Sequence, residues 1–363
     1  MSTRMIICLD GCGPDCLAAA ETPNLDAIAR EGFHTIGQAV VPTVTNVNNT
    51  SIVTAGFPET HGITSNYLMD PSTGREDYME SPEYLLAETA FRNVARRGGK
   101  AVLLTAKDKL KTLIADGAAI AESAEKPSAW LADRVGVPPG IYTVEVNHWL
   151  IRAALDLLRD DPPDFLYVST TDYVNHTYPP GSEPSVRNVR EIDRLIGELL
   201  NVFPDLELVV TADHGMNAKT RALDLTAILK ENGIEAQAVP IIKDRHVVHH
   251  QNLGGAAYIY LKDPAMLSEA LNTLRQEKGI EAVMKAEAAA IRYRLHPERI
   301  GQIFVLADLE TVFGSLPAPR QEVAIRSHGS LHERAVPIYG WGPGPMAARP
   351  RSNPEVAAWV FAP

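Results

Sequence analysis

The sequence predicts an α/β fold with a mostly parallel central sheet flanked by helices. Short apolar runs rich in β-branched residues alternate along the chain with amphipathic stretches of helical period. This alternation is typical of parallel sheets whose strands are joined by crossover helices. Polar residues follow directly after several of the apolar runs. Because open α/β sheets place their sites at the carboxyl ends of the strands, the same pattern predicts where a functional site lies.

The clearest candidate strands are short and almost wholly apolar, which suits strands that are buried on both faces. They cover residues 5–9, 101–105, 165–169 and 206–211. The candidate helices between them cover residues 22–32, 85–97, 144–159 and 186–203. The first of these helices begins with Thr22-Pro23, a cap followed by proline at the first helical position, and it ends at Gly32.

The regular alternation weakens in the second half of the chain, where we expect an inserted α+β cap. This cap is predicted for residues 219–324, and the catalytic core for residues 1–218 and 325–363, with part of 107–143 a further candidate for the cap. A histidine cluster in the insertion (His246, His249 and His250) is expected to contact the cap core or the substrate mouth. Residues 342–363 are rich in Pro, Ala and Arg and predict a loose tail.

Charge and cysteine content exclude several classes of protein. The 363 residues carry 45 acidic against 34 basic side chains, a formal net charge of −11. This balance argues against a nucleic-acid or membrane-surface partner, so an anionic substrate needs local positive charge. The first apolar run stops at Asp10, too early for a signal peptide or a membrane span. Cys8, Cys12 and Cys16 form no disulfide pattern and suit a reducing compartment, so we expect a cytoplasmic protein.

Acidic residues and histidines follow three of the four candidate strands. Asp10 follows the first strand, Asp172 and His176 follow the third, and Asp213 and His214 follow the fourth. Carboxylates and imidazoles that meet at one edge of a sheet are the ligand types of Zn²⁺ and similar ions. Each residue taken singly has a structural alternative, such as a turn or a hydrogen-bonded loop.

A hydroxyl-rich segment, PTVTNVNNTS at residues 42–51, lies between two apolar stretches. A hydroxyl at a strand-to-helix turn is accessible to substrate. The helix N-terminus also offers oriented N–H groups and a positive dipole to a phosphoryl oxyanion. Thr45 is therefore the candidate nucleophile, and the alternative is that Thr45 only caps the helix.

Six short motifs follow one another along residues 5–337, and their order and spacing are those of a known family. They are Asp10, Thr45 in its hydroxyl-rich segment, His61-Gly62 followed by Asn66, Asp172-x3-His176, Asp213-His214-Gly215 and Arg326-Ser327-His328-Gly329. Together they resemble the alkaline phosphatase superfamily, and within it the nucleotide pyrophosphatase/phosphodiesterase branch, whose nucleophile is threonine. The resemblance implies an alkaline-phosphatase-like core with a smaller inserted cap.

The resemblance also implies two zinc ions per chain, with Mn²⁺ and Fe²⁺ as alternatives. The residues that it assigns to the first ion are Asp10, Thr45, Asp213 and His214, and those that it assigns to the second are Asp172, His176 and His328. Two such ions lie ~3.5–4 Å apart in two-metal hydrolases. The resemblance further implies that Asn66 hydrogen-bonds a non-bridging phosphoryl oxygen.

Four longer stretches narrow the resemblance to the phosphonoacetate hydrolase family. They are residues 51–76, 105–110, 169–173 and 211–219. In that family the two lysines of the TAKDK segment hold the substrate carboxylate, which assigns this role to Lys107 and Lys109. Two lysines two residues apart at a sheet edge also supply the positive charge that an acidic protein needs for an anion. The alternative for them is a solvated basic turn paired with Asp108.

The function implied is a zinc-dependent hydrolysis of the C–P bond of phosphonoacetate, a small anionic phosphonate, through a phosphothreonine at Thr45. A phosphodiesterase, nucleotide pyrophosphatase or phosphomonoesterase of the same superfamily is the alternative among hydrolases. A zinc-binding protein without turnover is the alternative from another class. A sulfatase is disfavoured because the cysteines lack a CxPxR context. We expect no nucleic-acid or membrane partner, and a homodimer is a candidate assembly.

Overall fold

The computed structural model describes residues 2–70, 73–245 and 251–362, so the histidine cluster His246, His249 and His250 lies outside the described residues. The strands in the described part are β1 (Arg4–Cys8), β2 (Phe33–Gln38), β3 (Tyr67–Met69), β4 (Glu76–Tyr78), β5 (Ala101–Thr105), β6 (Ile120–Ser123), β7 (Phe165–Ser169), β8 (Glu207–Thr211), β9 (Asn217–Leu223), β10 (Ala236–Pro240), β11 (Ala256–Leu261), β12 (Ile280–Lys285), β13 (Ile303–Ala307), β14 (Thr311–Phe313), β15 (Arg320–Ser327) and β16 (Ala335–Trp341).

The helices alternate with these strands along most of the chain. They are α1 (Pro14–Ala18), α2 (Pro23–Glu31), α3 (Thr45–Thr54), α4 (Pro58–His61), α5 (Ala90–Arg96), α6 (Asp108–Ile114), α7 (Ala129–Val135), α8 (Glu145–Asp160), α9 (Tyr173–Thr177), α10 (Glu183–Val202), α11 (Leu225–Glu231), α12 (Leu267–Gln276), α13 (Ala286–Tyr293), α14 (Pro343–Ala348), α15 (Asn353–Val356) and α16 (Ala358–Phe361). Short 3-10 helices lie at Pro82–Tyr84, Pro264–Met266 and Pro297–Arg299.

The predicted α/β fold with a mostly parallel central sheet is confirmed. Seven strands pair in the order β2-β16-β8-β1-β7-β5-β6. The pairs between β8, β1, β7, β5 and β6 are all parallel, whereas β16 runs antiparallel to both of its neighbours. Because β1 lies between β7 and β8, the loops that follow these three strands meet at one edge of the sheet. That edge carries the site.

Helices bury the faces of this sheet, which explains why its central strands are apolar throughout. Every residue of β5 and β7 is buried. The amphipathic helices α8 and α10 bury their apolar sides and pack against each other, with ion pairs such as Arg152–Glu191 between them. Helix α3 packs against α5 and α15. None of the helices in the described residues has both the length and the apolar character that a membrane span needs.

The region of the predicted cap contains a second, smaller sheet. Its strands pair antiparallel in the order β10-β11-β13-β12, and they share an apolar core with α11 and α12. A three-stranded sheet in the order β14-β9-β15 connects this region with the rest of the chain. Its strands β9 and β15 pair antiparallel, which brings Asn217 opposite Ser327 and so sets the two ends of the insertion side by side. We propose 219–324 as the boundaries of the cap.

The predicted loose tail is wrong, because the segment from 342 to 362 forms α14, α15 and α16. Its prolines start helices instead of interrupting them, since Pro343 and Pro354 occupy first-turn positions, where proline lacks no needed donor. Val356 and Val360 are fully buried and attach the segment to the main core. The helix predicted for 85–97 is also shorter than expected: it begins at Ala90, because the side chain of Thr89 accepts a hydrogen bond from Arg92 N.

A buried ion pair joins the insertion to the loop that follows β15. Lys219 Nζ lies 2.8 Å from Glu333 Oε1, and both side chains are fully excluded from solvent. Glu333 also accepts hydrogen bonds from Ser330 N, Ser330 Oγ and Asn217 Nδ2. Burial alone would raise the pKa of Glu333, but Lys219 and these donors hold it below its usual range.

We predict that Lys219→Met lowers the free energy of unfolding by about 3–5 kcal/mol, because the Glu333 charge is then buried without its partner. Adding Glu333→Gln, which neutralises that charge and keeps its acceptor oxygen, should restore part of the loss. Urea denaturation measures both variants. Lys262→Met, which breaks the exposed Lys262–Glu235 pair, is the matched control and should leave the midpoint unchanged. Equal effects of the two lysine substitutions would contradict the prediction.

Candidate active site

The carboxyl ends of three neighbouring strands bring the predicted acidic residues together. Asp10 follows β1, Asp172 follows β7, and Asp213 follows β8 with His214 next to it. All four side chains are buried, with exposed fractions of 3% or less. Parallel strands that end at the same level therefore concentrate carboxylate groups in a part of the protein that water does not reach.

Thr45 points its hydroxyl at this group of side chains. It is the first residue of α3, and Val44 occupies the helix-cap position, so the structure does not support the alternative that Thr45 is the cap. Thr45 Oγ1 lies 3.3 Å from Asp10 Oδ1 and 3.3 Å from His214 Nε2. The candidate nucleophile thus touches two of the residues predicted to hold the first metal ion.

The first cluster consists of Asp10, Asp213 and His214, whose nearest ligand atoms all lie within 4.8 Å of one another. Asp213 Oδ1 accepts hydrogen bonds from the backbone N–H groups of Gly11 and His214, at 3.0 and 2.9 Å. Asp213 Oδ2 accepts one from Asn49 Nδ2 at 3.2 Å. These donors fix the orientation of the carboxylate. Asp10 Oδ2 has no hydrogen-bond partner in the part of the chain that the structure describes.

The second cluster contains Asp172, His176 and His328. His176 Nε2 lies 3.1 Å from Asp172 Oδ2, and His328 Nε2 lies 3.9 Å from the same oxygen. The rings of His328 and His214 stack with their centroids 3.8 Å apart, so the two clusters are in direct contact. Asp172, His214 and His328 also form a group in which all ligand atoms lie within 4.8 Å.

All three histidines are anchored in the same way, through Nδ1 and a backbone carbonyl. The acceptors are Arg326 O for His176, at 2.8 Å, Gly215 O for His214, at 2.9 Å, and Thr43 O for His328, at 2.7 Å. A carbonyl accepts only, so Nδ1 carries the proton and Nε2 presents its lone pair to the cluster. A hydrogen bond from Nδ1 to a carbonyl oxygen, which orients the ring, is typical of metal-binding histidines.

The charges and pKa values of the buried groups favour a cation at the site. Burial, followed by repulsion from neighbouring carboxylates, raises the pKa of Asp10 well above its usual range, and burial raises the pKa of Asp213 to about 6. Burial likewise lowers the pKa values of His214 and His328, which keeps their imidazoles neutral. Closely packed carboxylates, neutral imidazoles and one unpartnered carboxylate oxygen fit a divalent metal ion.

The two predicted substrate lysines stand at the entrance of the site, each paired with a carboxylate. Lys107 Nζ lies 2.9 Å from Asp172 Oδ1, and Lys109 Nζ forms an ion pair with Asp244 Oδ1. Burial alone would lower the pKa of Lys107, but Asp172, Asp10 and Asp244 raise it above its usual range. Lys107 therefore stays positively charged where an anion would enter.

These lysines share a narrow cavity with Thr45 and Asn66. Asn66 is buried, and its Oδ1 has no hydrogen-bond partner among the described residues. Lys107, Lys109 and Asp244 also line a second, larger cavity of ≈430 Å³, which adjoins the first through these shared residues. The structure thus brings every predicted site residue to one place.

Sequence reasoning missed three residues of this region: Asn49, Asp244 and Asn353. Asn49 had a weak signal, since it lies in the Asn-rich part of the segment 42–51. Asn49 Oδ1 accepts hydrogen bonds from Tyr167 Oη and Ser169 Oγ, so the side chain connects α3 to β7 and to Asp213. Asp244 and Asn353 stand in segments without any motif.

The mostly parallel sheet, the second α+β region and a buried Thr-Asp-His site define the class: an α/β protein with the alkaline-phosphatase-like fold. The chain belongs to the type I phosphodiesterase / nucleotide pyrophosphatase family, whose model matches residues 5–331. It is accordingly an enzyme of a hydrolase family. The metal dependence of the superfamily agrees with the two clusters of carboxylates and histidines.

The chain is also similar to individual solved structures and curated proteins. The phosphonoacetate hydrolase from Sinorhizobium meliloti 1021, in complex with phosphonoacetate, is 33% identical with a TM-score of 0.88, over 99% of this chain and 94% of that chain. Murine ectonucleotide pyrophosphatase/phosphodiesterase 5, at 20% identity and a TM-score of 0.70, shares the fold. A venom phosphodiesterase of Naja atra is 29% identical over 231 residues, 60% of this chain and 26% of that relative. The chain thus spans about a quarter of the length of the venom phosphodiesterases that it matches.

The raised pKa of Asp213 predicts how pH affects the metal-free protein. The carboxyl group titrates near 6 when folded and near 3.8 in its ordinary state, so the folded protein holds the proton longer. The resulting stability is present below about pH 4 and is lost as the pH rises through 6. At ~1.4 kcal/mol per pKa unit, the loss reaches about 3 kcal/mol.

Asp213→Asn removes this titration, so we predict that the metal-free variant gains stability relative to wild type as the pH rises from 4 to 7. Urea denaturation at a series of pH values, in the presence of a chelator, measures the difference. The amide also changes the free energy of unfolding by an amount that does not depend on pH. This amount cancels when the slopes of unfolding free energy against pH are compared. Parallel curves for the two proteins would show that Asp213 titrates normally.

Proposed function

We propose that this protein hydrolyses the C–P bond of phosphonoacetate to acetate and phosphate. The observation that carries the proposal is the cavity shared by Thr45, Asn66, Lys107 and Lys109, because it combines a hydroxyl nucleophile with two cations. A substrate with a phosphonate at one end and a carboxylate at the other needs both features. The likeness to the Sinorhizobium meliloti enzyme, also solved with phosphonoformate, supports the same substrate class.

Two divalent metal ions, which we propose to be Zn²⁺, fit the two clusters. Asp10, Asp213 and His214, together with the Thr45 hydroxyl, would hold the first. Asp172, His176 and His328 would hold the second. When bound, the ions lower the pKa of a coordinated hydroxyl or water and neutralise charge on the phosphoryl group.

Thr45 acts as the nucleophile in this proposal. Its hydroxyl loses a proton to solvent, and the oxygen attacks phosphorus. The C–P bond then breaks with its electron pair leaving on the acetate carbon, which takes a proton from solvent. Water then cleaves the phosphothreonine and releases phosphate. Thr45 lies at the N-terminus of α3, whose dipole favours the negative charge that develops on the phosphoryl oxygens.

In this proposal the lysines stabilise the carbanion leaving group, which an ordinary phosphatase does not have to do. A carbanion is a poor leaving group unless its charge spreads onto the neighbouring carboxylate as an enolate. Lys107 and Lys109 stand where they can pair with that carboxylate, and their charges stabilise the enolate more than the ground state. Asn66, in the same cavity, is positioned to donate an amide hydrogen to a phosphoryl oxygen.

A phosphodiesterase activity is the second candidate, and one structural feature favours it. The adjoining cavity of ≈430 Å³ is larger than an acetate needs, and Tyr78, Tyr84 and Tyr142 contribute to its lining. Aromatic rings in such a space could hold the larger leaving group of a diester, and the family model carries the phosphodiesterase name.

A cytoplasmic location, which the three free thiols support, and a homodimer stay predictions.

The decisive measurement follows phosphate and acetate together. We expect zinc-loaded protein to release the two products in equal amounts from phosphonoacetate, with 4-nitrophenyl phosphate and bis(4-nitrophenyl) phosphate turned over slowly. Thr45→Ala should remove activity on every substrate, because all of them need the nucleophile, and a chelator should do the same. Fast cleavage of the diester without release of acetate would transfer the function to a phosphodiesterase.

The lysines give a sharper test of substrate choice. We predict that Lys107→Ala and Lys109→Ala each lower kcat/KM for phosphonoacetate by ~10–100-fold, the effect of losing a hydrogen bond to a charged group. Hydrolysis of 4-nitrophenyl phosphate should change far less in Lys109→Ala, because its leaving group needs no such help. Lys107→Ala should lower it in part as well, because this variant also removes the partner of Asp172. Lys126→Ala is the matched control, since Lys126 lines the outer cavity but not the inner one. Equal losses of kcat/KM on both substrates would show that the lysines do not determine the preference for phosphonoacetate.

A further inference from the structure

The C-terminal segment contacts the active site through the side chain of Asn353. Asn353 is the first residue of α15, which packs against the nucleophile helix α3, and its side chain is fully buried. The strand β2 anchors this segment, because Gln38 N donates a hydrogen bond to Arg351 O at 2.9 Å. The position of Asn353 is therefore fixed by the central sheet.

The amide group of Asn353 connects two parts of the site. Nδ2 donates one hydrogen bond to Asp213 O at 2.8 Å and a second to Asn48 Oδ1 at 3.0 Å. Both partners are acceptors, which requires the NH₂ end of the amide to face them. No other common side chain of this length offers two donors from one atom without adding a charge.

Asn48 in turn holds the loop that leads to the nucleophile. Its Oδ1 accepts a hydrogen bond from Val40 N at 2.7 Å, and its Nδ2 faces the carbonyls of Val40, Pro42 and Val44 at 3.1–3.3 Å. Residues 40–44 immediately precede Thr45. A shift of Asn48 would therefore move the loop and the start of α3 together.

The same loop orients a ligand of the second cluster. Thr43 O accepts the Nδ1 proton of His328 at 2.7 Å. Thr43 Oγ1 accepts a hydrogen bond from Gly329 N and donates one to Ser330 O, both at 2.9 Å. The placement of Thr45 and that of His328 thus depend on one loop, and that loop depends on Asn48 and Asn353.

We propose that Asn353 is a positioning residue that sets the nucleophile loop and Asp213 at the distance that the reaction requires. The proposal rests on the proposed function, because it takes Thr45 as the nucleophile. Loss of the amide leaves the Asp213 carbonyl and Asn48 Oδ1 each short of one buried donor. Small displacements at a reacting centre cost large factors in rate, since attack needs close alignment.

The test compares Asn353→Ala with Val356→Ala, a change in the same helix that removes a buried apolar side chain instead of the amide. Zinc affinity is measured by competition with a chromophoric chelator, and kcat and KM on the phosphoryl substrate that wild type cleaves fastest. For Asn353→Ala we expect zinc affinity and kcat to fall by ~10–100-fold, with KM changed by less than about threefold. Val356→Ala should lower Tm and leave affinity and kcat within about twofold.

Asn353→Asp is the second variant, because it keeps the shape of the side chain and removes both amide hydrogens. It should be impaired at least as strongly as Asn353→Ala. Should the alanine variant fail to fold, Asn353→Ser, with a single hydroxyl donor, takes its place and should show an intermediate loss.

The proposal is overturned if the Asn353 variants match Val356→Ala in zinc affinity and in kcat, since the residue would then contribute stability alone. Failure of the proposed function is a separate outcome. The chelator competition needs no turnover, and the rate ratio between variant and wild type can be measured on a diester as well as on phosphonoacetate.

Discussion

Repulsion between buried carboxylates is the constraint on which the rest of this site depends. Asp10, Asp172 and Asp213 meet because three parallel strands end side by side, and the surrounding protein excludes the water that would otherwise screen their charges. In the metal-free protein, burial and this repulsion together favour the protonated carboxyl groups, so the pKa values of Asp10 and Asp213 are raised. The nearby neutral imidazoles and Lys107 then follow as the groups that such a concentration of negative charge can accommodate.

Rigid hydrogen bonding keeps this unfavourable arrangement in place. Backbone N–H groups and Asn49 hold the Asp213 carboxylate, and backbone carbonyls hold each histidine at Nδ1. Satisfied buried networks of this kind strengthen their members and specify one geometry. The site is consequently organised before any ligand arrives, and binding a metal ion or an anion needs little rearrangement of the backbone.

The sequence allowed most of the fold and the members of the clusters to be predicted, because both follow local rules. An apolar run that ends in Asp10 or in Asp213-His214 is visible in the sequence, and sheet topology then brings such ends together. Asn353 could not be found in this way. Its partners Asn48 and Asp213 lie 305 and 140 residues away, and no local pattern marks a contact over such separations.

The helical structure of the C-terminal segment could not be predicted for a related reason. Proline and alanine are abundant both in unstructured segments and at helix starts, and only the surface against which Val356 packs decides between them. Composition describes the segment alone, whereas its order comes from the rest of the molecule. Asp244, which is paired with Lys109, shows the same limit for a charged residue.

The position of His328 along the chain has a consequence for biosynthesis. The three clustered carboxylates Asp10, Asp172 and Asp213 and two of the histidines lie in the first 214 residues, whereas His328 follows the whole insertion. Proteins emerge from the ribosome N-terminus first, so a nascent chain presents an acidic, incomplete centre for much of its synthesis. With the metal ligands proposed above, the first cluster is complete once residue 214 has been made, whereas the second lacks His328 until the insertion has been synthesised. A second metal ion would therefore find its full set of ligands only late in folding.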